Sequence, residues 1–358
     1  MCQICNINVE QAEAFAGTML DTFNKASLSV MISLGHRAKL FDILNVSGEI
    51  TSQEFARKNY LNERYVREWL AAMTVGKIVR YNSQNKTYFL PAEHAAFLTK
   101  GAGSDNFATL FQYIPVMANV EDELLECFKN GGGVSYDKFE RFHKVMAEDS
   151  GQNFKSNLIT EMIPLINGMV EKLEKGINVL DIGCGSGTAI NTLAKVFPNS
   201  TFIGIDFCAE PIEQAVRDSE MLKLDNATFL KMDAADLDFY NKFDLITTFD
   251  AIHDQAFPDK VLKNIYNNLN NEGTYLMMDI DASSNLEENL DHPLGSSLYS
   301  ISTAHCMTVS LAQGGIGLGT MWGRQKAQQM LKEAGFKSTV LKRIEKDIMN
   351  AYYISIKQ

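Results

Sequence analysis

Asn178-Val179-Leu180-Asp181-Ile182-Gly183-Cys184-Gly185-Ser186-Gly187-Thr188 is the stretch on which the fold turns. An apolar strand runs into a glycine-rich turn, and a helix follows through Leu193 and Val196. Glycines at such a turn let a ligand touch the backbone. The helix start beyond it offers free N–H groups and a positive dipole end, which receive a carboxylate as readily as a phosphate. Gly187 falls one position before the third glycine of the dinucleotide fingerprint G-x-G-x-x-G, which weakens a nicotinamide-dependent oxidoreductase as the alternative.

Working toward the C-terminus, Thr201–Asp206, Ala227–Ala234, Phe243–Asp250 and Gly273–Ile280 read as further strands alternating with helices. Asp206, Asp233 and Asp250 stand at successive strand ends, the edge where such sheets bind ligands. Asp206 is placed to accept hydrogen bonds from both ribose hydroxyls of a nucleoside. Residues 154–358 are therefore expected to form an α/β, Rossmann-like doubly wound domain with a mainly parallel sheet.

Toward the N-terminus, Leu28 to Leu44 reads as a largely buried helix, and Thr51-Ser52-Gln53-Glu54 as a capping box that starts the next one. Tyr65, Val66, Trp69, Leu70 and Met73 give a third helix its apolar face, and Ile78–Tyr81 with Thr87–Leu90 predict a hairpin. Helix, helix, helix, hairpin is the order of a winged helix over residues 1–100. Residues 101–153 read as a helical connector, with Gly131-Gly132-Gly133 as a mobile loop or hinge.

The 44 acidic against 33 basic residues leave a formal net charge of −11, which disfavours nucleic acid and anionic membranes. Arg57, Lys58, Arg64, Arg67 and Arg80 are interleaved with Glu54, Glu63 and Glu68, so a DNA-binding, ligand-responsive regulator is the weaker alternative. No apolar run reaches the length of a membrane span, and the chain reads as cytoplasmic. The six cysteines suit reduced thiols, and Cys2 with Cys5 lacks partners to complete a zinc site.

Val179 to Gly187 resembles the first motif of the class I S-adenosylmethionine-dependent methyltransferases, and the likeness covers roughly residues 155–358. The resemblance implies S-adenosyl-L-methionine as cofactor. Gly183, Gly185 and Gly187 would hold its methionyl portion, Asp206 the ribose, Phe207 the adenine face, and Asp233 with Ala234 the adenine amino end. Asp181 and Asp250 would flank the sulfonium. The winged-helix front end is similar to that of small-molecule O-methyltransferases, which implies a homodimer and a domain that closes over the substrate. Ala251-Ile252-His253-Asp254-Gln255 and Ser302 to Gly315 resemble a less characterised branch of these enzymes.

His253, directly after the fourth strand, is the general-base candidate, because an imidazole with pKa near 6.5 takes a proton at neutral pH. Plant-type O-methyltransferases carry a similar His-Asp pair before a tryptophan, where this chain has Gln255. A structural histidine capping the next helix is the other reading. His305 is a second catalytic candidate, and Tyr299, Cys306, Met307 and Trp322 could line an acceptor pocket. Asp279 and Asp281 could share a strand face as a carboxylate pair, but no third ligand is evident, so no metal is expected. A small-molecule hydroxyl or thiol is the mildly preferred acceptor.

Overall fold

The structure is a computed structural model that describes residues 7–237, 239 and 242–358. Cys2 and Cys5 lie outside the described residues. The chain divides into two compact units, Met1–Pro115 and Val116–Gln358. Among the described residues no helix is long and apolar enough to cross a membrane.

The first unit contains α1 (Val9–Arg37), α2 (Leu40–Ser47), α3 (Ser52–Lys58), α4 (Glu63–Val75), β1 (Arg80–Asn82), β2 (Thr87–Phe89) and α5 (Ala92–Ala95). The apolar stretch from Leu28 to Leu44, expected as one helix, is two. Ala38 N–H bonds back to the Leu34 carbonyl, and Lys39 turns left-handed at φ 57°. That break swings Phe41 inward to an edge contact with Trp69 at 5.2 Å. Gly35 makes room, since a Cβ there would lie 2.6 Å from the Trp69 ring.

The capping box at Thr51 and Glu54 is present in both directions. Along α4, Val66, Trp69, Leu70 and Met73 are buried, whereas Tyr65, expected on the same face, is 80% exposed. The hairpin pairs antiparallel, Arg80 opposite Phe89, and Ile50 adds a bridge to Tyr88. Fully burying side chains such as Phe41, Phe55 and Leu70 stabilises this small core by about 1.5–3 kcal/mol each.

The second unit begins within α6 (Tyr113–Ala118) and adds α7 (Glu121–Asn130), α8 (Phe142–Asn157) and α9 (Met169–Lys175) before its sheet. The segment expected as a connector over 101–153 is thus divided. Ala108 packs in the first unit's core, while Phe154 and α8 pack in the second. The glycine run is not a free loop. Gly131 and Gly132 end α7 with positive φ, and a Cβ on Gly133 would lie 2.0 Å from the Thr308 carbonyl oxygen. Val134 N–H then donates to Thr308 Oγ1 at 2.8 Å.

Seven strands make the sheet: β3 (Asn178–Ile182), β4 (Thr201–Asp206), β5 (Ala227–Lys231), β6 (Phe243–Phe249), β7 (Leu269–Ile280), β8 (Thr339–Lys342) and β9 (Asn350–Ile356). Their order is β5-β4-β3-β6-β7-β9-β8, parallel except for β9, which runs antiparallel to both neighbours. The chain order reverses at β3, between β4 and β6, so a ligand crevice is expected beyond that strand's carboxyl end.

The intervening helices are α10 (Thr188–Val196), α11 (Ala209–Leu222), α12 (Pro258–Asn268), α13 (Gly295–Ile301), α14 (Met307–Ala312) and α15 (Gly323–Ala334). Alternate strand residues enter two cores. Val179, Leu276 and Met278 join α8 to α11 residues such as Ile190 and Ile212, while Leu180, Tyr275 and Met277 join Val261, Ile265 and Leu331. Both faces are covered, as the period of two with apolar residues on each side demands.

Candidate functional site

β3 delivers its chain to the turn at Gly183–Gly187, where Gly183, Gly185 and Gly187 have φ of 72°, 52° and 71°. The three glycines serve different ends. A Cβ on Gly183 would lie 2.5 Å from Ala251 Cβ, and one on Gly187 would lie 2.5 Å from the Phe229 ring, so these two permit packing. At Gly185 a Cβ would meet no atom within 4 Å, which leaves open space beside the backbone.

Asp206, at the end of β4, is tied to that turn. Its Oδ2 accepts the Gly185 N–H at 3.0 Å and its Oδ1 the Cys208 N–H at 2.9 Å. Burial raises its pKa, and the backbone N–H groups oppose the rise. Asp233 is oriented likewise, accepting the Ala235 N–H at 2.8 Å. Gly183, Asp206, Phe207, Asp233 and Ala234 line one cleft of about 250 Å3.

Two acids expected beside them stand elsewhere. Asp181 is buried behind the turn, where Thr247 Oγ1 donates to it at 2.7 Å. Burial pushes its pKa up to about 7 against that hydrogen bond, and Asp206 adds to the rise. Asp250, left-handed at φ 51°, has a buried Oδ1 without a partner and belongs to the group around His253. Burial and then the Asp279 charge hold its carboxyl well above the usual range.

His253 is buried just past β6, and its Nδ1 lies 2.8 Å from Asp279 Oδ1 on β7. The same oxygen accepts the Trp322 indole N–H at 3.0 Å and the Ile280 N–H at 2.8 Å. Burial by itself would lower the imidazole pKa. The Asp279 charge and hydrogen bond, with Cys306 also hydrogen-bonded to the ring, outweigh it and hold the group well above its usual value.

His305 occupies a different environment. Its ring stacks on Phe142 at 3.6 Å between centroids, meets Phe139 at 4.7 Å and Tyr136 at 5.0 Å, and neither ring nitrogen has a hydrogen-bond partner. Burial, with the charges of His253 and His143, pushes its pKa down to about 3, so it is neutral. Cys306 is buried beside it and Met307 opens α14.

Two residues expected to line an acceptor pocket are engaged in the framework. Trp322 holds Asp279, and the Tyr299 hydroxyl accepts from Asn289 Nδ2 at 3.1 Å beside a satellite core of Leu298 and Met321. The carboxylate pair of Asp279 and Asp281 does not form. β7 ends at Ile280, so the face alternation lapses, and Asp281 turns to Arg324 at 2.7 Å and to Arg343. Asp250, His253 and Asp279 bring donor atoms within 4.8 Å of one another; Asp279 Oδ1 already accepts three hydrogen bonds, whereas Asp279 Oδ2 and Asp250 Oδ1 are buried with no hydrogen-bond partner.

Sequence reasoning missed Tyr136, Asp254 and Thr247 at this site, and missed Asp279 as the partner of His253. Only Asp254 carried a local signal, its place next to His253. Burial pushes its pKa up to about 6, opposed by His253.

Residues 173–335 match the family described as a methyltransferase domain. The chain carries a methyltransferase domain. Residues 26–100 match the Rv2258c-like winged helix-turn-helix domain, in agreement with the helix order and hairpin of the first unit. The methyltransferase domain is similar to a tRNA (guanine-N(7)-)-methyltransferase of Chloroflexus aggregans, 37% identical over 86 residues, which are 24% of this chain and 36% of the relative. A malonyl-[acyl-carrier protein] O-methyltransferase of Bacillus cereus is 27% identical over 162 residues, 44% of this chain and 52% of the relative. The chain thus spans about half or less of the length of these curated relatives.

Across the whole fold, human N-acetylserotonin methyltransferase in complex with SAM superposes with a TM-score of 0.69 at 15% identity. That match covers 100% of this chain and 99% of the other, a likeness that establishes the fold.

Proposed function

We propose that the chain is an S-adenosylmethionine-dependent methyltransferase acting on a small-molecule hydroxyl or thiol. The observation that carries this reading is the convergence of Asp206, Asp233 and Phe207 on one cleft at the point where strand order reverses. The donor set fits the cofactor. Each carboxylate oxygen of Asp206 accepts one backbone N–H and keeps a lone pair for a ribose hydroxyl. Asp233 is an acceptor for an amino group, and the open space at Gly185 suits a methionyl chain beside the helix start.

When bound, S-adenosylmethionine supplies a methyl group made electrophilic by the sulfonium. The chain's own task is to align the acceptor, exclude water and take its proton. His253 is the proposed base: Nδ1–H donates to Asp279, and Nε2, the nitrogen on the Cys306 side, is the atom that takes the acceptor's proton in place of its contact with Cys306. Trp322 fixes the carboxylate that fixes the ring. His305, neutral and apolar in its surroundings, suits the acceptor wall better than proton transfer.

The homodimer expected from resemblance has support in α1, where Phe15, Met19, Phe23, Val30 and Leu34 are exposed along one helical stripe. Nucleic acid is disfavoured by the net charge of −11 and by pairs such as Arg67 with Glu63 at 3.5 Å, which give the winged helix a mixed surface. The free thiols of Cys127, Cys184, Cys208 and Cys306 support a reducing, cytoplasmic setting.

The test is a calorimetric titration with S-adenosylmethionine, S-adenosylhomocysteine and NAD, followed by a turnover screen over phenols, thiols and amines. Binding of both adenosyl ligands with turnover of a hydroxyl or thiol is expected. Binding of NAD alone rejects the reading.

A further inference from the structure

Tyr136 lies outside the glycine turn, the strand-end acids and the His253 segment. It sits between α7 and α8, on the segment that Gly133 and Val134 fasten to α14 through Thr308. That attachment brings the Tyr136 ring to the cleft wall shared by Asp206, Phe207 and Asp233. The ring meets Phe207 edge-on at 5.5 Å between centroids, stacks on His143 at 4.9 Å with 21° between planes, and touches His305 on another side at 5.0 Å. Val309 and Gln313, from and just beyond α14, line the same cleft, so the fastened segment and its anchor form one wall.

The charged groups facing this cleft, Asp206, Asp233 and Asp254, are acceptors when ionised. Burial, then the charges of Asp254 and Asp206, hold the Tyr136 phenol well above its ordinary range, so its hydroxyl keeps its proton and can donate. A nucleoside presents acceptor atoms on its base and sugar that carboxylates cannot satisfy.

We propose that Tyr136 is a further cofactor-binding residue, whose ring walls the nucleoside cleft beside Phe207 and whose hydroxyl donates to an acceptor atom of the nucleoside. The inference rests on the adenosyl-cofactor reading above. It also gives the Gly133 contact a purpose, because the close packing on α14 is what holds the ring at the cleft.

The experiment is surface plasmon resonance or stopped-flow binding of S-adenosylhomocysteine to the full chain, wild type against Tyr136→Ala, Tyr136→Leu and Tyr136→Phe. Base–aromatic contacts predict that losing the ring speeds dissociation by about tenfold or more with little change in association rate. Tyr136→Leu keeps the position filled should the alanine variant fail to fold. Tyr136→Phe, which lacks only the hydroxyl, is expected to dissociate about threefold faster. Wild-type dissociation rates in both the leucine and alanine variants overturn the inference alone, and a wild-type rate in Tyr136→Phe overturns the hydroxyl's part. A wild-type chain that binds no S-adenosylhomocysteine overturns the cofactor reading with it.

Discussion

His253 Nδ1 and Asp279 Oδ1 lie 2.8 Å apart at 5% and 0% residue exposure, an imidazole and a carboxylate from the ends of neighbouring strands β6 and β7. With a pKa held well above its ordinary value, His253 is mostly protonated at neutral pH, and turnover that needs the neutral ring should climb as pH rises. Asp279→Asn removes the charge that offsets burial, so the rising limb should move to lower pH. A pH–rate profile of the two proteins checks this, and an unmoved limb would sink the assignment. His253→Ala is expected to cost roughly 10²–10⁴-fold in kcat with little loss of cofactor affinity.

The same pair makes stability depend on pH. A histidine whose folded pKa is raised contributes stability that is full below its unfolded pKa and disappears as pH climbs through the folded value. Thermal unfolding of wild type and His253→Gln from acid to alkaline pH should therefore reveal a gap that narrows with rising pH.

Asp181 carries the same sign through a different cause, burial rather than a charged partner. Its folded pKa of about 7 exceeds the ordinary carboxylate value, so the folded chain holds a proton that the unfolded chain has released. Stability from this group falls as pH rises toward about 7. In ligand-free protein Asp181→Asn should melt higher than wild type at alkaline pH and gain less in acid. Equal melting shifts at both ends of the scale would contradict the buried, proton-binding assignment.

Asp206 and Gly133 separate binding from packing. Asp206→Ala removes the proposed acceptor of both ribose hydroxyls and should weaken S-adenosylhomocysteine by about tenfold or more in calorimetry. Gly133→Ala forces a methyl group to within 2.0 Å of the Thr308 carbonyl oxygen and should cost about 1–3 kcal/mol in denaturant unfolding.

The exposed stripe on α1 predicts association. Light scattering should report a dimer for the wild type, and Phe23→Asp, a charge placed on a side chain now 69% exposed, should yield monomers at the same concentration. A wild type that runs as a monomer would remove the stripe's proposed role.

What the sequence determined by itself was local. The strand, glycine turn and helix at Val179–Thr188, the acids at or just past the ends of β4 to β6 and the Thr51 capping box are each encoded within a few residues, because dihedral preference, period and capping are short-range effects. Only the tertiary structure decided which distant groups meet. Trp322 reaches Asp279 across 43 positions, Thr308 anchors Val134 across 174, and Lys39 breaks an apolar run that read as one helix. Those arrangements depend on which surfaces bury one another once the sheet has formed. Packing between remote segments turned Trp322 from a pocket residue into the support of a histidine pair, set His305 among aromatic rings, and brought Tyr136 to the cleft.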